Sequence, residues 1–161
     1  MATITPGRWT HQHDGEVVVF LIGIRVNKIT KVRAWLPAMA AMGPMISELA
    51  ADPSLGLLGF TQHFNARGAT MVQYWKDLDS LIAYAKGPES AHRPAWTEFN
   101  RRARKAAGAV GIWHETLVVP AGRHESLYID MPSQGLPAAL NPVEATGRRQ
   151  GARGRIAAST P

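Results

Sequence analysis

The chain has 161 residues, of which 45% are hydrophobic and none is cysteine, and its formal net charge is +6. This length predicts one domain with an ordinary core, and the lack of cysteine excludes disulfides, zinc–thiolate sites, iron–sulfur clusters and thiol nucleophiles. The longest apolar run, residues 17–24, is far shorter than the roughly 20 residues of a membrane-spanning helix, and the N-terminus lacks a secretory pattern, so we predict a cytoplasmic protein without membrane contact.

The first predicted segment is an N-terminal arm, residues 1–16. It is polar and contains Pro6, Gly7 and Gly15, a composition that favours an arm over a core element. His11 and His13 lie in this arm, and we interpret such an isolated pair as incidental rather than as a metal site.

A buried strand and a helix are predicted next. Residues 17–26 are apolar and rich in β-branched side chains, which is typical of a central strand buried on both faces. Between residues 31 and 51 apolar residues recur every three or four positions, which predicts a helix packed on a sheet. Pro37 and Pro44 interrupt that pattern, so we expect a kink or two segments.

A hairpin and a second helix follow. Residues 57–64 and 69–75 are predicted strands, joined by a short loop whose Gly68 suits a positive φ. Asp77 or Asp79 can cap a helix over residues 78–85, and Gly87 lies just past its end.

The remaining elements are a third helix, two strands and a tail. Residues 94–106 are predicted to be helical, and residues 111–119 and 125–131 to be strands, the latter at a half-exposed edge. Residues 145–161 hold four arginines and no acid, so the rest of the chain carries only +2. Residues 138–161 are therefore predicted to form an extended or disordered basic tail, and no recognition helix or stacking motif supports a specific nucleic-acid partner.

This order of elements predicts an α+β fold in which residues 17–137 form a ferredoxin-like antiparallel sheet with helices on one face. The other, apolar face of such a sheet needs a partner. A homodimer with facing sheets, a dimeric α+β barrel, is the simplest way to cover it.

Six segments of the chain resemble a group of bacterial proteins labelled "monooxygenase family protein". The segments are FLIGIRVN (20–27), WLP (35–37), DPSLGLLG (52–59), VQYW (72–75), HRPAWTEFNR (92–101) and VGIWHET (110–116). The resemblance covers about residues 15–137. It implies kinship with the dimeric α+β barrels rather than a particular reaction.

A more distant resemblance, to the small haem-degrading monooxygenases of the same superfamily, implies a haem site. By position, Asn27, Tyr84 and His92 are similar to the residues that surround the haem there, with His92 as the axial metal ligand. Tyr84 stands where that family has tryptophan, so the dehydration carried out by the related aldoxime dehydratases is implied as strongly as haem degradation.

Other candidates come from the residues themselves. His114 and Glu115 are neighbours on a predicted strand, so their side chains point to opposite faces and one of them is expected to face a cavity as an acid or base. His63 is expected to share a cavity with one of the two, and His92 can instead cap the third helix. The aromatic residues expected to line a pocket are Trp75, Tyr84, Trp96 and Trp113.

Three functions are consistent with these patterns. The first is a haem-binding monooxygenase or dehydratase with a small apolar or aromatic substrate, in which His92 binds iron and Trp75, Trp96 and Trp113 help to enclose the cofactor. The second is a cofactor-free oxygenase or isomerase in which a histidine or Glu115 takes a proton. The third is a module that binds a hydrophobic ligand without chemistry.

Overall fold

The computed structural model describes residues 3–87, 97–98, 101 and 108–158. Within these residues the chain forms seven strands in two antiparallel sheets, with five α-helices. The strands are β1 (Ile4–Gln12), β2 (Val17–Val26), β3 (Leu57–Asn65), β4 (Gly68–Trp75), β5 (Val110–Val119), β6 (Tyr128–Pro132) and β7 (Asn141–Glu144). The helices are α1 (Val32–Ala40), α2 (Met42–Ala51), α3 (Leu78–Lys86), α4 (Gly135–Ala139) and α5 (Ala152–Ala158).

The larger sheet, which we call the main sheet, has the strand order β3-β4-β2-β5. Strand β2 is central, as its continuous apolar pattern predicts. Because β2 and β3 both run antiparallel to β4, they are parallel to each other, and α1 and α2 make the crossover between them. This is the predicted ferredoxin-like α+β arrangement.

Prolines shape the crossover. Pro37 lies inside α1, and the helical structure is interrupted at Ala41, between α1 and α2. Pro44 occupies the first turn of α2, where the missing N–H has no intrahelical partner to lose. The prediction of two segments is confirmed.

The predicted hairpin is present, but Gly68 is needed for a different reason from the one predicted. Its φ is not positive. A Cβ at this position would instead collide with the carbonyl oxygen of Ile24 on the neighbouring strand, so the glycine permits a close approach of two backbones. The turn is held by Arg67, whose amide donates to the Asn65 side chain over 2.8 Å.

The core lies where α2 and α3 cover one end of the main sheet. It is centred on Val18, Leu49, Trp75, Leu81 and Tyr84, each at most 8% exposed. Full burial of one such side chain contributes roughly 1.5–3 kcal/mol. Helix α3 begins at the predicted cap, because Asp77 accepts a hydrogen bond from the Ser80 amide at 2.7 Å.

The two faces of the main sheet are covered by different elements and to different extents. We call the face under α1–α3 the helix side and the opposite face the open side. On the open side α4 packs against Gly59, where an added Cβ would lie 2.8 Å from the Ala139 Cβ. Further along this side Trp113 and Leu117 are 41% and 52% exposed, which leaves an apolar surface there.

The predictions for both termini are corrected by the structure. The expected arm, residues 1–16, contains β1, which is the middle strand of a second sheet with the order β6-β1-β7. The expected extended or disordered tail, residues 138–161, contains β7 and α5. Both segments are polar, so their pairing partners, more than 100 residues away, decide their structure. Strand β6 belongs to this second sheet, of which it is an edge strand.

Two further sequence predictions concern the third helix and membrane contact. The third predicted helix, residues 94–106, falls outside the described residues except for positions 97, 98 and 101. Among the helices that are described, none is long and apolar enough to cross a bilayer.

Candidate functional site

Two neighbouring cavities lie on the helix side of the main sheet. One has a volume of about 550 Å³ and lies beneath α1 and α2 toward β3. The other, about 460 Å³, lies toward α3 and β5. Four residues line both: Ile22, Ala38, Met42 and Ile112. The cavities are therefore adjacent chambers with a shared wall.

The strand register explains which side chains enter the chambers. On β2 every second residue, from Val18 to Ile24, faces the helix side, because side chains alternate along a strand. Residues paired directly across strands share a face, so Met71 and His114, both opposite Ile22, point to the same side as Ile22. The side chains of the sheet that line the chambers are Phe20, Ile22, Ile24, Phe60, Gln62, Phe64, Ala69, Met71, Ile112, His114 and Thr116.

The described lining of both chambers is apolar. It includes methionines from α1 and α2 and three phenylalanines from the sheet, and in the described part of the chain no Asp, Glu, Lys or Arg belongs to it. The polar side chains are Ser47 and Gln62 in the larger chamber and His114 and Thr116 in the smaller one. Such a lining suits a neutral ligand with few hydrogen-bonding groups.

His114 is the ionisable side chain of this lining. It lies on β5 opposite Ile22, and its ring centroid is 5.6 Å from that of Phe20, with the two ring planes tilted by 38°. The imidazole is thus placed beside an aromatic wall, within the smaller chamber. Of the two neighbours His114 and Glu115, the histidine is the one that faces these two chambers.

Glu115 lies on the open side. It pairs with Leu21, whose side chain points away from the helices. The side chains of His63 and Trp113 point to this same open side. Trp113 lies over Gly23, since a Cβ at Gly23 would collide with the indole ring. His63 therefore shares a face with Glu115 and not with His114.

Trp75 and Tyr84 lie in the core rather than around a chamber. Trp75 is 1% exposed, and its indole N–H donates to Gln73 Oε1 at 2.9 Å. Tyr84 stacks on it with ring centroids 5.9 Å apart and donates its hydroxyl to Glu48 at 2.7 Å. Burial, followed by this hydrogen bond to Glu48, raises the pKa of Tyr84 above its ordinary value.

Asn27 is not brought near Tyr84. It follows the end of β2 that pairs with Val110, and its backbone N–H donates to the carbonyl of Ala109 at 2.9 Å. Tyr84 stacks on Trp75, which pairs with Val18 near the other end of β2. Eight residues of strand separate the two ends, roughly 26 Å at about 3.3 Å per residue.

The remaining predicted site residues, His92 and Trp96, lie outside the described residues. Within the described part of the chain no group of three or more His, Asp or Glu side chains is arranged to hold a metal ion.

Sequence reasoning missed two features. Gln62 and Ser47 were not singled out, although Phe60, Gln62 and Phe64 recur with the period of two that puts them on one face of β3. Sequence reasoning also gave no role to His11, whose ring is 3% exposed and hydrogen-bonded to His124. That partner lies more than 100 residues away, and no local pattern indicates it.

Comparison with known proteins gives matches in sequence and in fold. The family model described as Monooxygenase af470-like matches residues 17–136. Monooxygenase af470 from Aspergillus fumigatus is 33% identical in an alignment 142 positions long, which covers 78% of this chain and 48% of that protein. The chain thus spans about half the length of this curated relative.

Solved structures also match. An aldoxime dehydratase in complex with butyraldoxime aligns with a TM-score of 0.63 and 18% identity, over 98% of this chain and 44% of that chain. SnoaB, a cofactor-independent oxygenase from Streptomyces nogalater, aligns with a TM-score of 0.45 and 14% identity, over 63% of this chain and 91% of that chain. At 18% identity, the match to the aldoxime dehydratase shows a shared fold alone.

Proposed function

Because the chain belongs to the Monooxygenase af470-like family, we propose that it is a monooxygenase that oxidises a neutral, largely apolar or aromatic small molecule held in the two chambers of the helix side. The observation that carries this proposal is the position of His114. It is the one ionisable side chain in the described lining of otherwise uncharged chambers.

The lining supports an aromatic substrate. Phe20 stands beside His114 at one end, and Phe60 and Phe64 line the other chamber. Flat aromatic rings pack well against such side chains. Gln62 and Ser47 offer hydrogen bonds to a neutral polar group at the end away from His114.

The proposed chemistry begins with proton transfer. A neutral imidazole at His114 takes a proton from an acidic C–H of the substrate, which leaves an electron-rich carbanion. That anion supplies electrons to molecular oxygen. In total a methylene group and O₂ give a ketone and one water, so the substrate provides all the electrons and no external reductant is needed.

A haem does not fit the described lining. Haem carries two carboxylates, and no arginine or lysine of the described lining is there to pair with them. We therefore derive no step through haem. The role of His92 as an axial ligand stays a prediction, and its test is the absorbance of protein from haem-supplemented cells. A Soret band that disappears in His92→Ala would replace the cofactor-free reaction with a haem-dependent one.

The open side supports a homodimer. Its exposed residues include Trp113 and Leu117, at 41% and 52%, and large apolar surfaces of this kind favour association. We propose that two copies pack through their open sides, which leaves the chambers on the outer, helix-covered sides.

The experiment for the proposed function measures oxygen uptake and ketone formation with anthrone, a neutral tricyclic probe with an acidic methylene group. The protein is first dialysed against a metal chelator. We expect turnover by wild type, and about a 100-fold lower kcat for His114→Gln, the usual minimum for loss of a general base. The matched control is His63→Gln, because His63 lies on the other face; its kcat should stay within about twofold of wild type.

Two results would contradict the proposal. If His114→Gln turns over anthrone as fast as wild type, His114 is not the base. If anthrone quenches the protein's tryptophan fluorescence at micromolar concentration without any turnover, the chambers belong to a binding module instead.

A further inference from the structure

A buried chain of hydrogen bonds joins two distant parts of the sequence, residues 11–15 and 124–126, outside the proposed site. His11 Nε2 lies 2.8 Å from His124 Nδ1, and His11 Nδ1 lies 2.8 Å from Ser126 Oγ. His124 Nε2 lies 3.0 Å from the carbonyl oxygen of Gly15. His11 and His124 are 3% and 7% exposed, so both rings are enclosed.

The partners determine where the protons are. A carbonyl oxygen only accepts, so His124 Nε2 must carry a proton and donate it to Gly15. In the neutral ring Nδ1 of His124 then accepts, and His11 Nε2 donates to it. His11 Nδ1 accepts in turn from the Ser126 hydroxyl. Two neutral imidazoles therefore give every donor and acceptor in this series of hydrogen bonds a partner. Two protonated imidazoles would instead place one N–H against another.

The surroundings of His11 disfavour positive charge on its ring. The His13 ring on the β1–β2 turn has its centroid 5.8 Å from that of His124. Glu125, the nearby acid, is already paired with Arg155 of α5 at 2.6 Å. Burial, then His124 and His13, lower the pKa of His11 to about 4, and Glu125 opposes them more weakly.

The chain of hydrogen bonds holds segments that are separate in sequence. His11 belongs to β1, and Gly15 to the turn that leads from β1 to β2. His124 and Ser126 belong to the β5–β6 connection, residues 120–127. Beside them Arg149 donates to Gln12 at 2.7 Å, so the C-terminal residues also meet β1 here.

We propose that His11 and His124 form an acid-sensitive latch, which fastens the β5–β6 connection to β1 and opens at mildly acidic pH while the main sheet stays folded. The opened form would release β6 from its edge position on β1. The main sheet has its own core around Trp75 and contains neither histidine, so it keeps its structure when the latch opens.

The sign of the pH dependence follows from linkage. The pKa of His11 is lower in the folded chain than in the open chain, where it takes its ordinary value near 6.5. The latch is therefore complete above about pH 6.5 and is lost as the pH falls toward 4. Between pH 7 and pH 5 this difference corresponds to a roughly 10- to 30-fold increase in the population of the open form.

Amide hydrogen exchange tests the latch in the whole chain. Protection factors, corrected for intrinsic rates, are measured at pH 7 and pH 5 for β1 and β6 and for β2 and β4. We expect protection in β1 and β6 to fall roughly 10- to 30-fold, with little change in β2 and β4. His11→Gln keeps a donor toward His124 but cannot be protonated, so it should flatten the pH response of β1 and β6. His63→Gln, an exposed histidine on β3, should leave that response intact.

The outcomes separate the alternatives. Equal loss of protection in both sheets, or none in β1 and β6, overturns the latch. An unchanged pH response in His11→Gln does so as well. If that variant does not fold, the wild-type contrast between the two sheets decides alone. None of these readouts depends on substrate, so the latch is tested separately from the proposed function.

Discussion

At the level of single residues, neighbouring side chains of this chain serve different parts of the molecule. His114 faces the chambers, whereas Glu115, one position further along β5, faces the open side. Tyr84 shows how burial selects a role: its ring supports Trp75, and its hydroxyl satisfies Glu48 rather than a substrate. An ionisable side chain can contact a ligand only where the fold leaves room beside it.

Tyr84 is expected to stabilise the fold through its hydroxyl. Tyr84→Phe removes the donor to Glu48, and we expect about 1.5–3 kcal/mol less free energy of unfolding, the usual loss for a hydrogen bond to a charged group. Glu48→Gln should lose less, because an amide oxygen can still accept from the tyrosine. Urea unfolding of the three proteins measures this difference, and equal stability of Tyr84→Phe and wild type would argue against the role.

At the level of secondary structure, the last helix depends on one arginine. Arg155 of α5 is 6% exposed and donates to Glu125 Oε2 at 2.6 Å and to the carbonyls of Arg149 and Gln150 at 3.0 and 2.8 Å. Helix α5 has seven residues, too few to be stable by itself. Tertiary contacts must therefore hold it.

Arg155→Met should detach α5 and leave the main sheet intact. The change keeps most of the apolar stem but leaves Glu125 and two carbonyls without their donor, at a cost of about 1–3 kcal/mol. Limited proteolysis should cut near residues 147–158 at least tenfold faster than in wild type. Arg153→Met, an exposed position in the same helix, serves as the control, and equal cleavage rates in both variants would contradict the anchoring role.

At the level of the whole molecule, the unequal cover of the main sheet is the basis of the proposed homodimer. The helix side holds the chambers and the core, while much of the open side near β5 carries exposed apolar side chains. In the proposed homodimer, the second copy removes these apolar side chains from water.

Leu117→Glu should convert the proposed homodimer to monomers. A carboxylate at this position would be buried against the partner without a counter-charge, so we expect the dissociation constant to rise at least 100-fold. Sedimentation velocity at micromolar concentration measures this change. Ile129→Glu is the control because Ile129 is similarly exposed, at 47%, but lies on β6. A wild-type protein that sediments as a monomer would refute the dimer.

Much of the main sheet is predictable from local patterns. The β-branched run of β2, the hairpin of β3 and β4, the cap at Asp77 and the proline-broken crossover all depend on residues close in sequence. The second sheet is not predictable in this way. Strands β6 and β7 have only five and four residues, and β1 is mostly polar. Residues of β1 such as Arg8 and Thr10 find their partners at Ile129 and Val143, where long-range pairing overrides local propensity.

For the candidate site, local sequence determines that His114 and Glu115 point in opposite directions, because alternation is a property of the extended backbone itself. Local sequence does not determine which direction leads to a cavity. Packing of α1–α3 on one face of the main sheet assigns His114 to the chambers, buries Trp75 and Tyr84 in the core, and separates Asn27 from them. Likewise the ring of His11 has its role only because folding brings His124 to it. These outcomes depend on contacts between distant segments. The free energies of such contacts cannot be read from residues that are close in sequence.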